Sequence, residues 1–338
     1  MRIGDNPNKF SGEQVKHYAH QVIIPVYILD EEGYFKDSFT IFQLCLQSLL
    51  VTTHSNTYIT IVNNGSGKKV VDYLNGLAAE NKIQEVIHTT NIGKINAVLK
   101  GIVGVRADIV TISDQDILFK ENWQSATFDV FNSFENVGVV GLIPMFTSYK
   151  SYSAPIIFDF LFSKRLGFTA VKNRDDMVRF YDSIWIGRPY DPKALETYLT
   201  LKAENGTYAV VGSGHVVASY RKSVFDSLNR SFTNDLLSGV SDRDYLDLPP
   251  LKLGYYRLTT HDNYAYHMGN GFENWMQQFY ESIAGKAKPA AVQLLKSIQR
   301  KQTFFLKLNY YFKKATVHKI IFRAIFLKIF VQQKAFLK

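Results

Sequence analysis

The sequence predicts an α/β fold built on a mostly parallel, doubly wound sheet, and three observations carry that reading. Short apolar runs alternate with segments of helical spacing as far as residue 113. Turn-forming residues close the runs, as at Asn63-Asn64-Gly65-Ser66. At 338 residues, 46% hydrophobic and 14% aromatic, the chain also has ample material for a packed core.

Taken in order, residues 21–29 form an apolar run that reads as a buried strand, with Pro25 near its end, where a missing N–H is tolerated. Residues 37–52 follow with helical spacing, marked by Phe39, Phe42, Leu46, Leu49 and Leu50. A second strand is expected over 58–62, a helix over 70–80, a third strand over 83–88 and a helix over 92–103. A fourth strand over 108–113 runs directly into Asp114-Gln115-Asp116. In such sheets ligands sit beyond the carboxyl ends of the strands, so the loops after Val26, Val62 and Ser113 should share one crevice. Residues 137–143 read as a further strand and 146–192 as an aromatic, irregular stretch. Residues 208–220 return to strand-like chain broken by Gly212-Ser213-Gly214-His215, 221–228 read as a short helix, and the globular body closes near Tyr280.

A carboxylate pair at i and i+2 just past a buried strand can reach a divalent cation and a sugar hydroxyl from a single loop. Hard oxygen ligands suit Mg²⁺ or Mn²⁺. The chemistry that calls for such a cation is departure of a nucleoside diphosphate, a poor leaving group until the charge growing on its phosphate oxygens is offset.

The ordered set of Val22-Ile23-Ile24-Pro25-Val26-Tyr27, residues 61–66, Asn91-Ile92-Gly93-Lys94, Asp114-Gln115-Asp116, Gly212-Ser213-Gly214, Ser241-Asp242-Arg243-Asp244 and residues 266–270 resembles the family 2 glycosyltransferases over roughly residues 20–275. The resemblance implies the GT-A fold, an inverting mechanism and a nucleotide-sugar donor, with a UDP-sugar expected. It implies that Pro25, Val26 and Tyr27 pack around base and ribose, that Asn63 and Asn64 stand in the turn where the family has Asp, and that Lys94 faces the phosphates. Asp114 would meet the ribose, Asp116 and His267 would hold Mn²⁺ or Mg²⁺, and Asp242 would be the general base, with Asp244 the second choice. Ser241 replaces the Glu that usually precedes that Asp. His215 and His261 are further candidates for phosphate or acceptor contact; the aromatic stretch after Phe146 lies where the family shapes its acceptor side, with most of its rings expected to pack a subdomain core, and Arg174, Asp175, Asp176 and Arg179 are expected on a solvated helix face.

Charge divides the chain into two parts. Residues 282–338 hold 13 Lys or Arg and no Asp or Glu, out of 39 and 30 in the whole chain, so the body at 1–281 is mildly acidic and the tail strongly basic. Apolar residues recur in the tail at helical spacing, and the run at 320–331 is strongly apolar but interrupted by Arg323 and Lys328. Such a segment suits an anionic membrane surface better than a bilayer span; a helix docked on the catalytic body or on a second subunit is the alternative. No motif supports nucleic-acid binding despite the net charge of +9. Residues 1–11 lack the apolar centre of a secretory signal, and the single cysteine, Cys45, rules out an internal disulfide. The expected location is therefore cytoplasmic, peripheral at the inner face of the plasma membrane; the resemblance, together with the tail, implies a glycan or lipid-linked glycan of the bacterial surface as acceptor. A nucleotidyltransferase is the rival enzyme class, but the glycine-rich phosphate loop it would need after Val26 is missing; a noncatalytic membrane scaffold is the rival from outside the enzymes.

Overall fold

The protein is described by a computed structural model covering residues 4, 14–184, 192–228, 232–237, 239–286, 288–290, 292, 295 and 303–317. Its first half is the expected alternation: β1 (His17–Val26), α1 (Ser38–Thr52), β2 (Thr57–Asn64), α2 (Lys68–Ala79), β3 (Glu85–Thr89), α3 (Lys94–Ile102) and β4 (Arg106–Ser113). Strand β1 explains the double covering. Val22, Ile24 and Val26 pack with α1 and α2 on one face, while Ile23 packs with Val62, Val98 and Ile112 beneath α3 on the other. Neither face is left to water, which is why the run shows no polar alternation.

Then come β5 (Ile117–Phe119), α4 (Trp123–Ser133), β6 (Val137–Gly141), α5 (Ala154–Phe160), β7 (Leu166–Ala170), α6 (Arg174–Ile184), β8 (Thr197–Lys202), β9 (Tyr208–Val211), β10 (Val217–Arg221), α7 (Ser223–Asp226), α8 (Gly239–Asp242), α9 (Leu248–Lys252), β11 (Tyr256–Thr260), β12 (Ala265–His267), α10 (Asn274–Ile283) and α11 (Phe304–Thr316). The main sheet runs β3-β2-β1-β4-β10-β6-β11-β9-β8-β7. Strands β1 to β4, β6, β8 and β11 point one way, and β7, β9 and β10 run against them. The parallel portion is the predicted one; the antiparallel strands belong to the second half, where the sequence pattern was weak.

The stretch 146–192, expected to be irregular, contains α5, β7 and α6. Its aromatic rings are mostly packing groups, with Phe180 and Tyr181 buried. Nor are the charges of α6 simply solvated: Asp176 is buried against Lys120 at 2.8 Å, and the Arg179 guanidinium lies 4.1 Å from the Trp275 ring centroid.

Beyond residue 282 the described chain packs against the body. Leu295 and Val317 share a core with Phe128, Phe131 and Leu199, and the Leu295 N–H donates to Asp108 Oδ2 at 2.7 Å. Helix α11 buries Tyr310 and pairs Lys313 with Asp159 at 2.6 Å, yet leaves Phe304, Phe305 and Leu308 exposed at 82%, 74% and 55%. The apolar run at 320–331 lies outside the described residues. Among the described residues, no helix is long and apolar enough to cross a membrane.

A buried polar chain ties the sheet to α4. The Gln124 amide donates to His20 Nδ1 at 2.9 Å and to Thr57 Oγ1 at 2.9 Å, so His20 carries its proton on Nε2 and donates it to Thr111 Oγ1 at 2.5 Å. Burial, with the neighbouring His54, holds His20 well below the ordinary imidazole value, and burial lowers His54 to about 4. Protonating His20 would set Nδ1–H against the Gln124 donor. Below about pH 6.5 the unfolded chain binds protons that these folded histidines refuse, so stability is present above that pH and is lost as pH falls toward 4. Thermal unfolding scanned from pH 7.5 to 4.5 should show this decline, and His54→Gln should flatten it. An equally steep decline in His54→Gln would refute the assignment.

Candidate active site

Three parallel strand ends deliver three loops to one crevice, and side-chain hydrogen bonds stitch those loops together. Gln115 Oε1 accepts from the Tyr27 N–H at 2.8 Å, joining the loop after β4 to the loop after β1. Ser66 Oγ accepts from the Ile28 N–H at 3.0 Å and donates to Val26 O at 3.2 Å, joining the loops after β1 and β2. Pro25 and Val26 sit in register with Val62 and Asn63 at the buried end of β1. Asn63 Oδ1 accepts from the Ser66 N–H at 2.9 Å, while its amide meets His88 Nδ1 at 2.9 Å. Asn64 Oδ1 accepts from the Ile92 N–H at 2.9 Å. Both asparagines are buried and serve the turn itself.

The turn into α3 places Lys94. Gly93 has φ +87°, and a Cβ there would collide with the backbone of Leu236, so only glycine fits. Lys94 Nζ forms an ion pair with Asp114 Oδ1. Burial pulls the Lys94 pKa down, but Asp114, through charge and hydrogen bond, and then Asp242 and Asp116 outweigh it and raise the pKa above the usual lysine value. One ammonium group therefore feels three carboxylates. Asp242 is brought there by the segment before α8, which α3 holds: the Asn96 amide donates to Thr233 O at 2.8 Å, the Thr233 N–H donates to Asn96 Oδ1 at 2.8 Å, and the Lys94 N–H donates to Leu236 O at 3.1 Å.

Asp116 meets His267 through a two-stranded ribbon in which β12 pairs antiparallel with β5 and the Met268 N–H donates to Asp116 O at 2.8 Å. Asp116 Oδ2 lies 3.3 Å from His267 Nε2, and Asp116 Oδ1 is buried with no hydrogen-bond partner among the described residues. Ser183 fixes the ring. Its hydroxyl donates to Phe180 O at 2.7 Å and so accepts from His267 Nδ1–H at 2.9 Å. In that tautomer a neutral imidazole aims a bare Nε2 lone pair at a carboxylate oxygen, an arrangement that repels unless a proton or a cation bridges the two. Burial, with Asp114 adding to it against the pull of His267 and Lys94, pushes Asp116 up to about 6.

Those groups fit a divalent cation. Among the described residues no three His, Cys, Asp or Glu side chains form a closed cage, and Asp116 with His267 is a pair of groups of the ligand type. That is the arrangement hard cations adopt when one or two protein groups share them with substrate phosphates.

Residues 22–186 match the model of the family described as "Glycosyl transferase family 2". The chain carries a family 2 glycosyltransferase domain over those residues. Its sheet and crevice are those of the GT-A fold, and the family is one of sugar-transferring enzymes. No curated protein matches the glycosyltransferase in sequence. Among solved structures, S. aureus TarS 1-349 is 12% identical over 92% of this chain and 77% of that one, with a TM-score of 0.45. S. aureus TarS is 11% identical over 90% of this chain and 44% of that one, with a TM-score of 0.46.

Of the glycosyltransferase residues expected from sequence, Lys94, Asp114, Asp116, Asp242 and His267 come together in the crevice. Asp244 pairs instead with exposed Arg243 at 2.8 Å. His261 stacks on Tyr208 with ring centroids 5.3 Å apart. Gln115, Ser66 and Ser183 were missed because each is a common residue whose partner lies far away in sequence. Asp247 and Arg257 were missed too: both are buried, ion-paired through Asp247 Oδ1 and Arg257 Nη1, and Arg257 Nη2 donates to Ser213 O at 2.7 Å. Arg257→Met leaves Asp247 buried without its counter-charge and should cost about 3–5 kcal/mol of stability in urea unfolding. Adding Asp247→Leu to that variant should recover part of the loss; a double variant no more stable than Arg257→Met would contradict the pairing.

Proposed function

We propose that this glycosyltransferase moves a sugar, with inversion, from a UDP-sugar donor to a hydroxyl of a growing bacterial surface glycan carried on a lipid. The observation that carries the reading is that Lys94 is ion-paired with Asp114 at the start of α3, the helix that also holds the Asp242 segment through Asn96 and Thr233, so that residues far apart in sequence share one crevice. Donor-holding and proton-accepting carboxylates thus face one volume.

In this reading Tyr27, backed by Pro25 and Val26, forms the wall that receives base and ribose, Asn63 and Asn64 hold the turn that shapes it, Asp114 accepts from a ribose hydroxyl, and Lys94 turns toward the diphosphate. Mn²⁺ or Mg²⁺, held by Asp116 and His267, would supply positive charge to the departing phosphate oxygens. A groove of about 640 Å³ opens beside His267, lined by Arg174, Asp175, Arg179, Asp182 and Trp275 among others, and supports acceptor entry from that side. Asp242 removes the proton of the acceptor hydroxyl as its oxygen attacks the anomeric carbon. The bond from that carbon to the diphosphate breaks with the electron pair leaving on phosphate, which inverts the centre.

Transfer and hydrolysis measured over a panel of nucleotide sugars with Mn²⁺ or Mg²⁺ test the function, and turnover of a UDP-sugar is expected. No turnover and no donor binding anywhere in the panel would refute it. Asp242→Asn should retain donor affinity and lose about 10²–10⁴-fold in kcat. Near wild-type transfer in that variant would move the base elsewhere. Ser183→Ala frees the His267 ring and should weaken Mn²⁺ binding about 10–100-fold by calorimetry. Unchanged affinity would remove His267 from the cation site.

The exposed apolar stripe of α11, flanked by Lys307 and Lys314, supports peripheral docking on an anionic membrane from the cytoplasmic side. Exchanging Phe304, Phe305 and Leu308 for serine should reduce binding to phosphatidylglycerol vesicles while leaving donor hydrolysis intact. Binding equal to the parent would exclude this face.

A further inference from the structure

The proposed function uses Asp242 but leaves the group beside it unexplained. His215 stands between two carboxylates, with Nε2 at 3.9 Å from Asp242 Oδ2 and Nδ1 at 3.7 Å from Asp247 Oδ1. The loop that carries it is built for the purpose. Gly212 has φ +93°, and a Cβ there would collide with the Ser148 carbonyl, so glycine is required to turn the chain out of β9. The Gly212 N–H donates to Arg257 O at 2.9 Å, while the Arg257 guanidinium holds both Ser213 O and Asp247. One buried arginine therefore fixes both the loop before His215 and the carboxylate behind it.

We propose that His215, oriented by Asp247 and Arg257, completes the base: Asp242 accepts the acceptor proton and His215 takes it over. The atoms balance. The acceptor O–H bond breaks and an Asp242 O–H forms while the new glycosidic bond is made and the diphosphate leaves. The proton then passes from Asp242 Oδ2 to Nε2, giving an imidazolium that faces Asp247, and later to solvent through the part-exposed edge of the ring. Asp247 is suited to that partnership: burial raises its pKa, but His215 and Arg257 outweigh burial and hold it below the usual carboxylate value, so it stays an acceptor for Nδ1–H. The gain is basicity. A carboxylate alone is a weak base for a sugar hydroxyl, and an imidazole that finally holds the proton increases the driving force for its removal. Both separations exceed hydrogen-bond length in the free protein, and catalytic contacts of this kind tighten when substrate binds. His215 acts through Asp242 and is in that sense a positioning residue. The same ion-pair geometry accounts for its place directly after the glycine turn, which the sequence alone left as a possible phosphate or acceptor contact.

This inference rests on the assignment of Asp242 as base, and the experiment separates the two. Steady-state transfer is measured for the wild type, Asp242→Asn, His215→Ala and His215→Gln, using whichever donor of the panel the wild type turns over. His215→Ala should lose roughly 10²-fold in kcat with donor KM and thermal midpoint unchanged, and added imidazole should restore activity. Rescue should strengthen along a series of substituted imidazoles of increasing basicity. His215→Gln, which can fill the space and hydrogen-bond but not take up a proton, should stay impaired. A His215→Ala kcat within twofold of wild type, full activity in His215→Gln, or rescue that ignores basicity would each overturn the shared base. Full transfer by Asp242→Asn would instead overturn the assignment on which the inference rests.

Discussion

Among the described residues the crevice gathers three carboxylates around one lysine, and its other features follow from that excess. Asp114, Asp116 and Asp242 all act on Lys94, the cation that is paired directly with Asp114. Asp116 answers by shifting toward the protonated form, while one of its oxygens is buried with no hydrogen-bond partner among the described residues. A buried carboxylate in that condition is costly to keep unless positive charge arrives with the substrate. On the proposed reading a nucleoside diphosphate alone would worsen the imbalance and a divalent cation arriving with it would correct it, so that the free site would be arranged for its loaded state, as electrostatic preorganisation requires.

Holding like charges close demands a stiff frame, and the sheet provides it. β1 is buried on both faces between β2 and β4, so the ends of these strands cannot drift independently. Gln115 and Ser66 then lock the three loops across the strand ends at a handful of hydrogen bonds. On the far side, the β5–β12 ribbon brings His267 to Asp116. The Asn96–Thr233 pair of hydrogen bonds brings the Asp242 segment to α3. Local packing and long-range stitching therefore share the task of assembling one charged cluster.

Much of this was legible in the sequence, and the limits of legibility are physical. Strands β1, β2 and β4 are apolar runs ended by strong turn signals, and that pattern alone placed the crevice. Strands β5, β7 and β8 and helix α4 escaped because they are short or carry mixed polar and apolar faces, so neither period dominates. Asp114 and Asp116 were visible as a carboxylate pair at a strand end, whereas Asp242 and His267 were visible only through the resemblance to the family. Gln115, Ser183, Asp247 and Arg257 were not, because an ordinary Gln, Ser, Asp or Arg becomes informative only when its partner is known. The tail shows the same boundary. Its basic, amphipathic character was plain, but that Tyr310 would turn inward while Phe304 and Phe305 face out depends on what α11 packs against.

The account stands on the half-site formed by Asp116 and His267, and the most direct measurement is anomalous scattering from crystals soaked with Mn²⁺ and UDP. A single strong peak bound by both Asp116 and His267, at about 2.1 Å from its oxygen ligands, is the result predicted. A peak elsewhere in the crevice, or UDP bound in full occupancy with no cation against Asp116, would contradict it.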